Sequence, residues 1–220
     1  IASRSTLTTE MRFLNANTPN EEFQLFTKRK KNHEYSINHF GDSFYILTNS
    51  DNSKNFRIMR CSVKDTSISN WEEIIPHSEE VLIEDIELFD EYFVISERER
   101  GLVKFRIKKW KTNDEFYLPF EGQTYNASLG INLDFNSKKL RYNYTSLTNP
   151  SSVIEFDMSR KSMNILKTHE VVDKNFKSSN YESKRVWAVS HDGTQVPISI
   201  VKRKETVYSE NTPLLLYGYG

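Results

Sequence analysis

Ser43-Phe44-Tyr45-Ile46-Leu47-Thr48 is the stretch whose reading decides the fold. A polar loop, Asn49 to Asn55, follows it, then Phe56-Arg57-Ile58-Met59-Arg60-Cys61, then Glu72-Glu73-Ile74-Ile75 stopped by Pro76. Short bursts of aromatic and β-branched residues bounded by polar or Pro turns are strand signals. The order then returns. Tyr92-Phe93-Val94-Ile95-Ser96, a polar turn from Glu97 to Gly101, Leu102-Val103-Lys104-Phe105-Arg106-Ile107 and Glu115-Phe116-Tyr117-Leu118, stopped by Pro119, make a second copy. Leu140-Arg141-Tyr142-Asn143-Tyr144, a turn from Thr145 to Pro150, Val153-Ile154-Glu155-Phe156 and Asn164-Ile165-Leu166 make a third. Each copy opens with one more strand, Glu34 to Phe40, Val81 to Phe89 and Thr124 to Leu129.

Four strands recurring at a period of roughly 48 residues fall in the range of β-propeller blades. Alternation such as Phe105 and Ile107 against Lys104 and Arg106 fits strands with one face buried. A β-sandwich of regular hairpins is the competing architecture, and three aligned copies favour the propeller. Met11 to Leu14 and Glu22 to Phe26 read as the last strands of a preceding blade. Three blades and a remnant do not close a ring of about four to eight, so blades beyond these are expected upstream.

After Leu166 the pattern changes. Lys167 to Ser183 is polar and aperiodic and reads as a linker. Arg185 to Ser190 and Val196 to Val201 are strands joined by His191-Asp192-Gly193-Thr194, and an Asp-Gly turn between alternating strands predicts a hairpin. Pro197 places its strand at an edge or a non-bonded position. Pro213-Leu214-Leu215-Leu216-Tyr217 reads as a buried sheet strand that runs into the glycines of Gly218-Tyr219-Gly220. That last stretch has two readings. It is either a core strand with its turn, or a Tyr hydroxyl on a glycine-flexed loop at a strand end, placed to donate to a developing oxyanion.

Composition agrees with strands and narrows the function classes. The 220 residues are 13% aromatic and carry 30 Lys+Arg against 30 Asp+Glu. A formal charge of zero lacks the electrostatic footprint of a dedicated nucleic-acid binder. Cys61 is the sole cysteine, which excludes an internal disulfide and a multi-Cys zinc site. No apolar run reaches membrane-spanning length, and no basic-then-apolar segment follows Ile1, so neither an anchor nor a signal peptide is expected. The expectation is a cytoplasmic chain with no cofactor, metal, nucleic acid or membrane partner.

Few residues offer chemistry. No Gly-x-Ser-x-Gly elbow is present, and the Ser-rich pieces lack flanking glycines. His33 and His39 are expected to share a strand face without a third ligand and to be structural. The basic tetrad Lys28-Arg29-Lys30-Lys31 reads as a solvated loop, and Glu97-Arg98-Glu99-Arg100-Gly101 as a solvated turn rather than an interface.

Tyr92 to Gly101, Arg141 to Pro150, Val186 to Val201 around Asp192-Gly193, and Pro213 to Gly220 together resemble the prolyl oligopeptidase family. His33-Glu34-Tyr35-Ser36, Thr48-Asn49-Ser50-Asp51 and Lys54-Asn55-Phe56 fit it in the same order. Trp187, Asp192-Gly193, Val196-Pro197 and Ser199 lean to its oligopeptidase B (protease II) branch rather than the proline-specific one. The resemblance covers the whole chain but only a middle part of a full-length member. It implies a mainly β architecture. Residues 1–172 would be the later part of a β-propeller, and residues 173–220 a linker and the first strands of an α/β-hydrolase peptidase domain packed against it. It also implies short peptide substrates cut after Arg or Lys, a propeller that limits substrate size, and an oxyanion-hole hydroxyl at Tyr219. The family's Ser, Asp and His would lie beyond Gly220, so these residues alone should cleave nothing. The alternatives kept open are a proline-specific oligopeptidase and a non-catalytic propeller that binds a partner.

Overall fold

A computed structural model describes residues 1–218. Three strands come first: β1 (Ala2–Ser5), β2 (Thr8–Phe13) and β3 (Gln24–Leu25), paired in that order. Three four-stranded meanders follow. The first holds β4 (Tyr35–Phe40), β5 (Ser43–Thr48), β6 (Arg57–Ser62) and β7 (Glu72–Ile75). The second holds β8 (Val81–Leu88), β9 (Tyr92–Glu99), β10 (Leu102–Lys109) and β11 (Glu115–Tyr117). The third holds β12 (Tyr125–Leu129), β13 (Lys139–Ser146), β14 (Ser152–Asp157) and β15 (Ser162–Thr168). All pairings within them are antiparallel between sequence neighbours. A separate hairpin, β16 (Tyr181–Val189) with β17 (Gln195–Arg203), closes the regular structure.

The core lies between the sheets, as it does between propeller blades. Side chains alternate across a strand. In β5, Phe44 and Ile46 therefore join Phe26, Met59 and Trp71 on one side, while Tyr45 and Leu47 join Ile83, Ile86 and Phe93 on the other. β9 divides likewise, sending Phe93 and Ile95 towards the first sheet and Tyr92 and Val94 towards the third. Two buried faces explain why β5 and β9 read as continuous apolar runs. The third sheet is one-sided. Leu140, Tyr142, Ile154 and Phe156 meet the second sheet, and on the opposite face Lys139 and Arg141 bond to Glu155 at 2.7 and 3.3 Å. Trp110 locks one end of the stack, lying parallel to Phe93 and Phe40 at 5.1 Å from each and donating its Nε1–H to the Phe89 carbonyl at 2.9 Å.

Several expectations are corrected. β1 was not anticipated, and of Glu22 to Phe26 only Gln24–Leu25 is strand. The linker shrinks to 169–180, because β15 keeps Lys167 and Thr168 while β16 begins at Tyr181; backbone pairing overrides polar composition there. His33 precedes β4 and is buried while His39 on β4 is exposed, yet both border one core cluster as expected, His33 stacking on Tyr35 and His39 lying 5.5 Å from Phe44. The run Pro213 to Tyr217 is neither buried nor strand: Leu214, Leu215 and Leu216 are 86%, 90% and 80% exposed. A strand of that composition needs neighbours on both sides, and none lies beside it among the described residues. The hairpin is as expected, turning at Asp192-Gly193 with Gly193 at φ +84°. Each of its strands is an edge, the setting in which Pro197's missing N–H is tolerated.

Candidate functional site

The turns of the second and third sheets meet the hairpin at a junction built mainly by two arginines and one tryptophan. β9 and β10 pair in register from Glu99 opposite Leu102, which leaves Arg100 and Gly101 as a two-residue turn. Their φ values of +49° and +78° give a turn of the I′ class, whose twist matches antiparallel strands. Arg98, just before it, is taken by Glu84 at 2.6 Å. Arg100 instead reaches the Trp187 ring, 5.1 Å from its centroid, and Arg185 approaches the same ring at 5.3 Å. A guanidinium over an indole gains about 0.5–1 kcal/mol when exposed and about 2 when desolvated. Trp187 is 39% exposed, between those limits.

Two further contacts hold the hairpin to the sheets. The Thr124 and Ser183 hydroxyls are 2.5 Å apart. The Arg185 guanidinium lies over Gly101 so closely that a Cβ there would stand 2.5 Å from Nη2. Arg185 Nε is buried without a hydrogen-bond partner, so its position rests on packing and on the indole. Beside it is a recess of about 360 Å³ lined by Leu102, Tyr125, Leu147 and Ser199 among others. Burial raises the Tyr125 phenol above its usual pKa, with Tyr144 adding to the rise and the Arg185 charge opposing it. Its hydroxyl donates to the Val103 carbonyl at 2.7 Å.

The sequence-selected residues do not converge on a catalytic cluster. Tyr219 and Gly220 lie outside the described residues, so the expected oxyanion donor is not placed. Tyr217, two residues earlier, is 85% exposed. A Ser–His contact exists between Ser190 and His191 at 3.3 Å, but it joins adjacent residues of the exposed hairpin turn. Asp192 beside it is engaged by the Thr194 backbone N–H, which holds its carboxyl below the usual range. No group of three or more metal-ligating side chains occurs among the described residues.

The Glu97–Gly101 stretch is more than a solvated turn. Glu97 is buried and accepts from Arg106 at 2.7 Å and from the Tyr117 hydroxyl at 3.0 Å, and Arg100 joins the hairpin. The missed signal was an Arg-Gly turn together with a Trp two residues after Arg185 on the hairpin. The tetrad Lys28–Lys31 is exposed, as a solvated loop should be. Lys30 and Lys31 nonetheless line a recess with His33, which the sequence did not indicate.

Residues 1–169 match the family described as prolyl oligopeptidase, N-terminal beta-propeller domain. Among curated proteins, the chain is 33% identical to dipeptidyl aminopeptidase BI of Pseudoxanthomonas mexicana, over 100% of this chain and 30% of that protein. It is 23% identical to protease 2 of Moraxella lacunata, over 100% of this chain and 31% of that protein. The solved structure of oligopeptidase B from Leishmania major superposes with a TM-score of 0.85 at 23% identity, covering 96% of this chain and 31% of that one. Oligopeptidase B from Trypanosoma brucei, in a closed form with covalently bound antipain, gives 0.80 at 24% identity, covering 94% of this chain and 30% of that one. The chain thus spans about 30% of the length of the relatives it matches.

Proposed function

The chain belongs to the prolyl oligopeptidase family, and from that premise we propose that it forms the later propeller blades, and the entry into the peptidase domain, of a serine oligopeptidase that cuts short peptides after Arg or Lys. Residues 173–220 are the linker and first strands of an α/β-hydrolase domain in this reading. The observation that carries it is the junction: the hairpin is fixed to the sheet turns by the Arg100–Trp187–Arg185 stack and then releases an apolar run, Leu214 to Tyr217, that has nothing to pack on among the described residues. An exposed stretch of four large apolar residues marks a surface that another part of a protein covers.

The nucleophile, general base and orienting carboxylate would come from parts of the full-length protein outside these 220 residues. Tyr219 would add a hydroxyl donor to the oxyanion formed when the scissile carbonyl is attacked. The propeller would limit substrate size by narrowing access to that chemistry. The preference for Arg or Lys is what the resemblance of Trp187, Asp192-Gly193, Val196-Pro197 and Ser199 to the oligopeptidase B branch implies.

Hydrolysis of matched chromogenic peptides ending in Arg, Lys or Pro by the full-length protein, with and without a serine-directed phosphonylating reagent, tests the proposal. Reagent-sensitive cleavage with kcat/KM highest for Arg and Lys supports it. Preference for Pro moves the protein to the proline-specific branch, and absence of any cleavage leaves a binding propeller.

A further inference from the structure

We propose that a basic recess at the hairpin-facing end of the first meander is a subsite for the C-terminal carboxylate of the bound peptide. The inference rests on the oligopeptidase reading above.

Its position follows from topology. In each antiparallel meander, the start of the first strand and the turn between the second and third strands lie at the same end. Gly101, Thr124 and Leu147 are at that end of the second and third sheets, and they meet Arg185, Ser183 and Ser199 of the hairpin. The first sheet is aligned with them, since Asn55 Nδ2 donates to the Ser78 and Glu79 carbonyls at 2.8 and 2.9 Å, just before β8 begins. The recess, about 610 Å³, opens at this end between the loop before β4 and the β5–β6 loop. It therefore shares a face with the junction through which the blades meet the rest of the polypeptide. Its volume is within the range of small-ligand sites.

The floor is a fixed structure. His33 is 4% exposed, stacks on Tyr35 and lies 2.9 Å from the Thr48 hydroxyl through Nε2. The Asn49 side chain accepts the Glu34 N–H at 2.9 Å and donates to the Asn32 carbonyl at 3.2 Å, tying the two loops together. Asn32, Asp51 and Asn52 hold φ values of +63°, +54° and +63°, the left-handed turn conformation that Asn and Asp tolerate best, which sets the course of the two loops.

The rim is cationic. Lys30, Lys31 and Lys54 line the recess. Asp51 is there too, but its carboxylate is engaged by Arg57, whose other nitrogen reaches Glu73 at 3.3 Å. Burial and the Lys30 charge lower the His33 pKa against an opposing pull from the Asp51 carboxylate, so the floor stays uncharged and the positive charge stays with the lysines. An anionic group is the complement of such a rim, and a peptide carries one at every C-terminus.

The test uses the full-length enzyme, an Arg-containing peptide as free acid and as C-terminal amide, and the Lys30→Gln/Lys54→Gln double variant. Exposed ion pairs are individually weak, so KM for the free acid should rise by about 3- to 10-fold, with the amide and a short chromogenic substrate unchanged. Lys30→Arg/Lys54→Arg should restore the wild-type KM. Equal KM for acid and amide in every form overturns the subsite while leaving the peptidase reading intact. Should the protein cleave nothing, calorimetric binding of the same two peptides still decides the matter: a charge-dependent difference abolished by the double variant supports the subsite, and identical binding overturns it.

Discussion

Gly101→Ala isolates the contact that fastens the hairpin to the sheets. Gly101 sits at φ +78°, where an L side chain costs about 1–2 kcal/mol, and its Cβ would press within 2.5 Å of Arg185 Nη2. The guanidinium must move, which weakens one side of the Trp187 stack by about 0.5–2 kcal/mol. Gly41→Ala provides the control, because Gly41 is at φ +58° in the β4–β5 turn and a Cβ there meets nothing within 4 Å. Both variants therefore carry the backbone cost, and their difference reports the junction. Unfolding of a multidomain protein seldom yields a single free energy, so the readout is amide hydrogen exchange of β16 and β17 in the full-length protein. The stack's share corresponds to about 2- to 30-fold faster exchange in β16 for Gly101→Ala and none for Gly41→Ala. Equal exchange of the hairpin in both variants would refute the assignment of Arg185 and Trp187 as its fastening.

Three other outcomes follow from the packing. Phe105 is fully buried between the second and third sheets, with Phe120 and Tyr142 rings at 5.3 and 5.7 Å, so Phe105→Ala should cost about 3–5 kcal/mol, seen as a lowered thermal midpoint of the propeller transition. The Cys61 thiol is pushed up to about 11, chiefly by burial, so a thiol reagent at pH 8 should label it only once the protein is unfolded. Burial, aided by Lys30, lowers the His33 pKa, so the unfolded chain binds the proton more readily; the stability it contributes is complete above about pH 6.5 and falls as the pH drops towards the folded value, and denaturant titrations of His33→Gln should lose that part of the slope.

The sheets were legible because their alternation is local. Leu140, Tyr142, Ile154 and Phe156 against Arg141, Asn143 and Glu155 spell a one-sided sheet directly, and β5 and β9 spell two-sided ones. β1 was missed because Ala2-Ser3-Arg4-Ser5 is exposed throughout and is held by its pairing with β2, which composition does not announce. The Pro213–Tyr217 run misled in the other direction: its apolar character records a burial that needs neighbouring strands, and none lies beside it among the described residues. At the junction, Arg100, Arg185 and Trp187 are 85 or more positions apart on one side and two apart on the other, and local pattern carries no information about such a meeting. The lysine-lined recess escaped for the same reason, since Lys30 and Lys54 belong to loops of different strands that only the first meander brings together.

The central claim is that these residues are scaffold up to the hairpin and contribute to catalysis through Tyr219. It is tested most directly by comparing Tyr219→Phe with Tyr217→Phe in the full-length enzyme on an Arg-containing chromogenic peptide. Phe keeps the ring and removes the donor, and loss of one oxyanion-hole donor lowers kcat by about 10²- to 10³-fold. The account predicts that fall in both kcat and kcat/KM for Tyr219→Phe, with KM little changed, and a much smaller effect for Tyr217→Phe. Small and equal effects of the two substitutions would contradict it.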